Sequence, residues 1–301
     1  DSTVVHTTAP ITVGSTIKDR TAYRTLTVSS GATICVDGAI NVDGQVLTDK
    51  SIPTGPYGLV TLESDAYIEL NNGASLYCWG YVNGDGMVVA HNGAKAYECF
   101  QLTGWRGGTA TTSMISSKKV FPLNQYYVQN IEAALKLEYG AKEYVYASVS
   151  LKFVGQKHVT EAFIASDSDS SGMFRLQNEG SSITKKYIAA TDRLYFEVNG
   201  DLMIGAMSLD FGTAKLQTRD YPLPINSNFN IDIHSGTTTV LSEQDVALLP
   251  GAEFTVSEEA TFAINSSMYV YDRDEWVGQN YAYKSGICDL GPIDYTTTNG
   301  T

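Results

Sequence analysis

The segment Asp167-Ser168-Asp169-Ser170-Ser171-Gly172 places oxygen-bearing side chains at alternate positions and then a glycine. That pattern suits a hard cation. Asp167, Asp169 and Ser171 would supply oxygen ligands, and Gly172 would allow the sharp turn of a calcium loop. The twelfth position of such a loop falls on Asn178, with Glu179 one place later, so the usual bidentate glutamate is out of step. No helical pattern flanks the segment. A polar hairpin loop is the competing reading, and calcium is the one cofactor the sequence raises. Asp272, Asp274 and Glu275 form a second acidic group, read as a solvated face.

Hydrolytic chemistry has thinner support. Ile231-Asp232-Ile233-His234-Ser235-Gly236 puts Asp232 and His234 on one face of a strand with Ser235 beside them. Triads are assembled in space, but no G-x-S-x-G accompanies this one, and a surface Asp/His pair is the simpler reading. Asp43 and Asp85 stand in equivalent Asp-Gly dipeptides, where a turn accounts for them without chemistry. No stack of Arg or Lys lies beside them, as a polysaccharide lyase would need. Trp79, Trp105 and Trp276, with 19 tyrosines, offer rings for sugar stacking, though aromatics commonly serve as core or cross-strand partners. No catalytic residue is assigned.

Four cysteines occur, Cys35, Cys78, Cys99 and Cys288. Cys78 and Cys99 are 21 positions apart (99 − 78). If that is one turn of a coil, they sit on strands about 4.8 Å apart. A disulfide needs Cα atoms about 4.4–6.8 Å apart, so the spacing allows a bond, and equally a stacked pair of free thiols. Cys35 and Cys288 remain, and a bond between them would tie the chain ends. No zinc spacing is present.

The elements that would position these residues are strands. Leu26–Leu47 reads LTVSSGATICVDGAINVDGQVL, and Ile68–Val89 reads IELNNGASLYCWGYVNGDGMVV, at an offset of 42 (68 − 26). Gly31, Ala32, Gly38, Asn41, Asp43, Gly44 and Val46 recur as Gly73, Ala74, Gly80, Asn83, Asp85, Gly86 and Val88. Apolar residues alternate between these corners, which predicts strands with one buried face. Gly-Ala and Asp-Gly corners need a positive φ or a small side chain. Three arms would make a turn of 21 residues, with the offset of 42 as two turns. Such stacking defines a β-solenoid, in which each turn covers its neighbour's apolar edge. A sandwich of hairpins would alternate too, but would not repeat the corners at fixed spacing.

A third copy runs through Val246, Leu248, Gly251, Ala252, Phe254 and Val256. The predicted fold is therefore all-β. Solenoid segments at 1–114 and 241–301 bracket a central antiparallel, sandwich-like domain at 115–240. Within that domain the sequence predicts strands over Tyr144–Phe153, Ala162–Ala165, Tyr195–Val198 and Leu202–Leu209. It also predicts a short helix over Asn130–Glu138, an entry linker from Ser116 to Pro122, and an exit linker at Tyr221-Pro222-Leu223-Pro224.

The chain has 301 residues and 43% hydrophobic content, enough for a substantial core. Its net charge of −13 repels phosphate backbones and anionic lipid, so neither nucleic acid nor a membrane surface is an expected partner. No apolar run is long enough for a transmembrane helix. The start at Asp1-Ser2-Thr3, without Met, fits a mature end left by signal-peptide removal and equally an artificial start.

The run Gly31-Ala32-x-Ile34-x-Val36-x-Gly38-x-Ile40-x-Val42-x-Gly44 resembles repeat-rich secreted bacterial surface proteins with β-helical cores. The resemblance covers about half the chain and is compositional. It implies an extracellular or cell-surface location and a structural or adhesive role, and carries over no site residues. The expected function is non-enzymatic: a structural or adhesion protein, assembling into filaments through open solenoid ends or through exchange of the N-terminal Thr3–Val13 strand. A carbohydrate-active β-helix enzyme and a glycan- or calcium-dependent binding module are the alternatives.

Overall fold

The structure is a computed structural model. It describes residues 3–14, 24–42, 58–78, 80–102, 127–128, 131–148, 162–166, 172–188, 193–210, 215–217, 219, 223–225, 229–248 and 254–270. The elements are all β-strands, and no described residue is α-helical.

Two long sheets organise these strands. Sheet A takes, in spatial order, Val4–Thr7, Thr33–Val36, Tyr67–Leu70, Met87–Ala90, Ala134–Glu138, Ser182–Ile188, Arg193–Asn199, Phe229–Ile233 and Phe254–Val256. Sheet B takes Ile11–Val13, Ala39–Val42, Ser75–Cys78, Lys95–Leu102, Lys142–Ser148, Ala162–Ser166, Phe174–Leu176, Leu202–Ile204, Gly236–Val240 and Ala260–Ile264. Tyr127–Val128 pairs beside Lys95–Leu102. Sheet C joins Arg24–Val28, Gly58–Leu62 and Tyr81–Gly84, and sheet D joins Leu223–Ile225, Val246–Leu248 and Met268–Val270. Ser208–Asp210 and Lys215–Gln217 form a separate hairpin. None of these sheets closes on itself.

From its start the chain deals strands to A, B and C in turn, each parallel to the one before it in the same sheet. Like therefore lies on like. Ile34 pairs with Ile68 and Ile68 with Val88, while Ile40 pairs with Leu76 and Leu76 with Ala96. The inward phase of the alternation is sealed: Val36, Ile40, Ile68, Leu70, Leu76 and Val82 are completely buried. Each such side chain contributes about 1.5–3 kcal/mol relative to exposure. Gly31 and Gly73 turn the corners with φ of +72° and +83°, the left-handed region that disfavours any side chain.

The 21-residue period needs correction. Met87 lies on Tyr67 and Lys95 on Ser75, an offset of 20 in both cases. Tyr67 lies on Thr33, 34 positions on, and Ala134 lies on Met87, 47 positions on. Leu26 belongs to sheet C and Ile68 to sheet A. The 42-residue match thus superimposes strands from different sheets. What repeats in the sequence is the arm, one strand and its corner, because the same alternation and the same glycine serve every face.

Between residues 134 and 204 the strand sense changes. Ser182–Ile188 runs antiparallel to both of its neighbours in sheet A. In sheet B, Ala162–Ser166 runs antiparallel to Lys142–Ser148, and Phe174–Leu176 antiparallel to Leu202–Ile204. These antiparallel pairs belong to the same two sheets, which pass through both expected boundaries: Met87–Ala90 pairs with Ala134–Glu138, and Gly236–Val240 with Ala260–Ile264. The late repeat thus joins the sheets that the first strands begin.

Two local expectations are overturned. Ala134–Glu138 is a strand, not part of a helix. Leu135 and Leu137 are buried while Lys136 and Glu138 between and after them are not, so burial with period two overrides helix propensity. Leu223–Ile225 is a strand too, with Leu223 and Ile225 buried. Pro224 is accommodated because this strand is the edge of sheet D, where a missing N–H is tolerated.

Candidate functional site

The most unusual chemistry in the molecule is inside it. Lys185 belongs to Ser182–Ile188 of sheet A, and Glu98 and Glu143 belong to Lys95–Leu102 and Lys142–Ser148 of sheet B. The alternation explains how three charged groups turn inward. Ile183, Lys185 and Tyr187 share the buried phase of their strand, and Ala96 and Glu98 share that of theirs. Ala96 is the register partner of Glu143, so the two carboxylates sit diagonally on adjacent strands facing Lys185.

Lys185 Nζ donates to Glu98 Oε1 at 2.5 Å and also to Glu143 Oε1. Side-chain exposure is 0% for Lys185 and Glu143 and 1% for Glu98. Glu98 Oε2 accepts the backbone N–H of Ile131 at 3.1 Å, which fixes that carboxylate. Glu143 Oε2 has no hydrogen-bond partner. A buried, orphaned carboxylate oxygen is costly, and the group responds by holding a proton. Burial pushes the Glu143 carboxyl up to about 7; Lys185 pulls against this and Glu98 reinforces it. Burial disfavours the Lys185 cation as well, but the two carboxylates outweigh it and hold its pKa above the ordinary value. With Glu143 protonated, the triad holds one positive and one negative charge and is neutral overall.

A second polar cluster lies on the surface. Glu138 Oε2 meets His91 Nδ1 at 2.9 Å, and Glu138 Oε1 meets Lys136 Nζ at 3.5 Å. Burial works against ionisation of Glu138, but His91 and then Lys136 hold its carboxyl below the usual range. Lys136 and Glu138 border an open cleft of about 350 Å³, shared with Asn92, Tyr139, Glu179 and Ser182. Elsewhere, Tyr77, Tyr97 and Tyr144 stack on successive strands of sheet B, with ring centroids 4.7 and 5.0 Å apart. Their faces cover one another.

The residues singled out by sequence fare differently. Asp167, Asp169 and Ser171 lie outside the described residues, and no cluster of metal-ligating side chains occurs among those described. Cys78 pairs in register with Glu98, whereas Cys99 pairs with Tyr146. The offset is 20, so Cys99 stands one place past the register partner of Cys78, and the buried Cys78 thiol donates to the Gly80 carbonyl at 3.6 Å. Cys35 is a free thiol, donating to Glu69 Oε2 at 3.5 Å; burial first, then Glu69, pushes its pKa up. Cys288 lies outside the described residues. Asp232 lies on the strand Phe229–Ile233, but His234 follows the strand's end, and Ser235 is a corner cap, its Oγ accepting the Gly200 N–H at 3.1 Å.

No motif links Glu98, Glu143 and Lys185, which stand 87 and 42 positions apart in the two ion pairs. The available signal is a charged residue on the apolar phase of an alternating strand. No family model, no curated protein and no solved structure matches this chain.

Proposed function

We infer that the protein is a secreted or cell-surface structural protein, a non-enzymatic β-solenoid that assembles end to end through its open strand edges. The observation that carries this reading is the run of sheets A and B from the first strands to the last, with apolar side chains exposed at both ends. Val4 and Val5 on the first strand of sheet A are 52% and 51% exposed, Val256 on its last strand is 38% exposed, and Met268 and Val270 on the last strand of sheet D are 47% and 50% exposed. Edge strands present unpaired backbone groups, and exposed valines beside them favour strand addition by another copy. Positive-φ corner glycines and the parallel dealing of strands to A, B and C support the solenoid geometry.

Negative-stain microscopy over a concentration series tests the reading. Ordered fibres that vanish in a Val4→Lys, Val5→Asp double variant support it, and dispersed monomers at high concentration overturn it. Glycan binding is the second reading, favoured by the open cleft beside Glu138 and Glu179. A calcium-dependent form of it would draw on Asp167, Asp169 and Ser171. A glycan array with and without EDTA separates these two forms.

A further inference from the structure

We propose that Lys185 and Glu143 become joined by a self-formed amide between Nζ and Cδ, with Glu98 relaying the protons, so that the buried triad is a covalent maturation site. This goes beyond the structural reading above and does not depend on assembly.

The argument begins with what the site lacks a use for. A fully buried lysine and two buried carboxylates are an expensive way to hold a core together, since apolar residues of similar volume commonly do as well or better. The side chains are 0–1% exposed, so no external substrate reaches them, and the reacting groups are each other. Sheets A and B hold them in hydrogen-bond contact from opposite walls of the interior. Fixed neighbours of this kind react with effective molarities on the order of 10⁵–10⁸ M. The same exclusion of water that penalises the ions favours their replacement by a neutral amide, and it hinders hydrolysis of the product.

The protons balance within the triad. The starting state is Lys185 as ammonium, Glu98 as carboxylate and Glu143 as carboxylic acid. Nζ gives a proton to Glu98 Oε1, its partner at 2.5 Å, and becomes a neutral amine. The amine lone pair attacks Cδ of the Glu143 acid, and the C=O electron pair moves to oxygen. The nitrogen of the tetrahedral adduct loses a second proton as Glu98 delivers one to the departing hydroxyl. The Cδ–OH bond breaks, one water leaves, and Glu98 ends protonated. No oxidant, reductant or outside reactant takes part. Glu143 is the acceptor because its Oε2 has no hydrogen-bond partner, whereas Glu98 Oε2 is anchored by the Ile131 N–H. The new bond would tie a strand of sheet A to one of sheet B and close a loop between residues 143 and 185.

The test is the intact mass of the full chain under denaturing conditions, followed by peptide mapping, on material shown by circular dichroism to be folded. The expected result is a mass one water below that of the sequence, and a branched peptide joining the segments that carry Lys185 and Glu143. Lys185→Gln and Glu98→Gln should both restore the full mass; the glutamine at 98 keeps an acceptor for the Ile131 N–H. A folded wild-type chain at full sequence mass overturns the proposal. So does a water lost elsewhere, as in an Asp-Gly succinimide, with the two peptides unlinked. A branch to Glu98 overturns the acceptor assignment, and full linkage in Glu98→Gln overturns the relay. The wild-type measurement decides even if a variant fails to fold.

Discussion

The early strands and the reversed stretch use the same two sheets and fill them differently. In the early part, parallel register stacks Ile34, Ile68 and Val88 in one row, and the interior is hydrocarbon. In the reversed stretch, Ser182–Ile188 runs against its neighbours, pairs Lys185 with Leu135, and carries a cation into the interior. One region is stabilised by residues that tolerate replacement by any apolar side chain of like volume. The other depends on three charged groups that hold one another, with the Ile131 N–H fixing Glu98. The contrast teaches that a continuous sheet does not imply a uniform core: where strand direction changes, the stacking rule lapses and specific pairing takes over.

The largest effect should come from Lys185→Met. It leaves Glu98 and Glu143 facing each other without a cation, and breaking a buried pair in this way costs about 3–5 kcal/mol. The urea midpoint reads it. The triple variant Lys185→Met, Glu98→Gln, Glu143→Leu should recover most of the loss, since it removes the charges together. A triple variant no more stable than the single one would show that the site needs its charges, and not merely their balance.

The two regions should also differ in their response to pH. The Glu143 carboxyl is pushed up to about 7, by burial first, from an ordinary value of 4.5. Until the amide closes, the folded chain therefore binds a proton that the unfolded chain releases. This contribution to stability is complete below pH 4.5 and is lost as pH rises through about 7. Amide closure needs the same proton, so in chain recovered unfolded and still at full sequence mass, the rate of water loss on folding should fall as pH rises through about 7. Intact mass against time at several pH values measures this. Leu76→Ala in the hydrocarbon region should cost about 2–5 kcal/mol, equally on both sides of that window.

Much of the first region was readable in the sequence, and the reason is local. Alternation and corner glycines are written within one arm, so Val36, Ile40, Leu70 and Leu76 could be placed inside before any partner was known. The partners could not be placed. Every face uses the same arm, so the repeat matched Leu26 of sheet C with Ile68 of sheet A. The triad was half-readable. In Lys95-Ala96-Tyr97-Glu98 the buried Ala96 and the outward Tyr97 put Glu98 on the inner phase, and Ile183 does the same for Lys185. That the two would meet depends on the reversal of Ser182–Ile188, a long-range event that no nearby residue signals. The helix expected at Asn130–Glu138 failed for the opposite reason: good helix formers were overruled by two leucines that the sheet buries.

A smaller contrast separates two of the corners, those at Gly73 and Gly236. Gly73 has φ +83° and open space where a Cβ would go. Gly73→Ala should therefore lose only the left-handed backbone penalty, about 1–2 kcal/mol. Gly236 has φ +74°, and a Cβ there would lie 2.4 Å from the backbone carbon of Gly200. Gly236→Ala must move the neighbouring corner as well, so its thermal midpoint should fall further. Equal losses at the two sites would mean that the Gly236 corner is no more tightly nested than the Gly73 corner.

The smallest expected effect is the sharpest control on burial. Glu138 meets His91 at 2.9 Å and Lys136 at 3.5 Å, so it too is a carboxylate with two basic partners. Its side chain, however, is 38% exposed. Water and salt screen it, and Glu138→Gln should cost about 0.2–1 kcal/mol, less at high ionic strength. Its folded-state pKa is lowered, the reverse of Glu143. The stability it contributes is present above the ordinary carboxylate value and is lost as pH falls through the folded one. Urea unfolding at low and high salt measures both. A Glu138→Gln loss as large and as salt-independent as that of Lys185→Met would remove burial as the property that distinguishes the interior triad from an ordinary surface cluster.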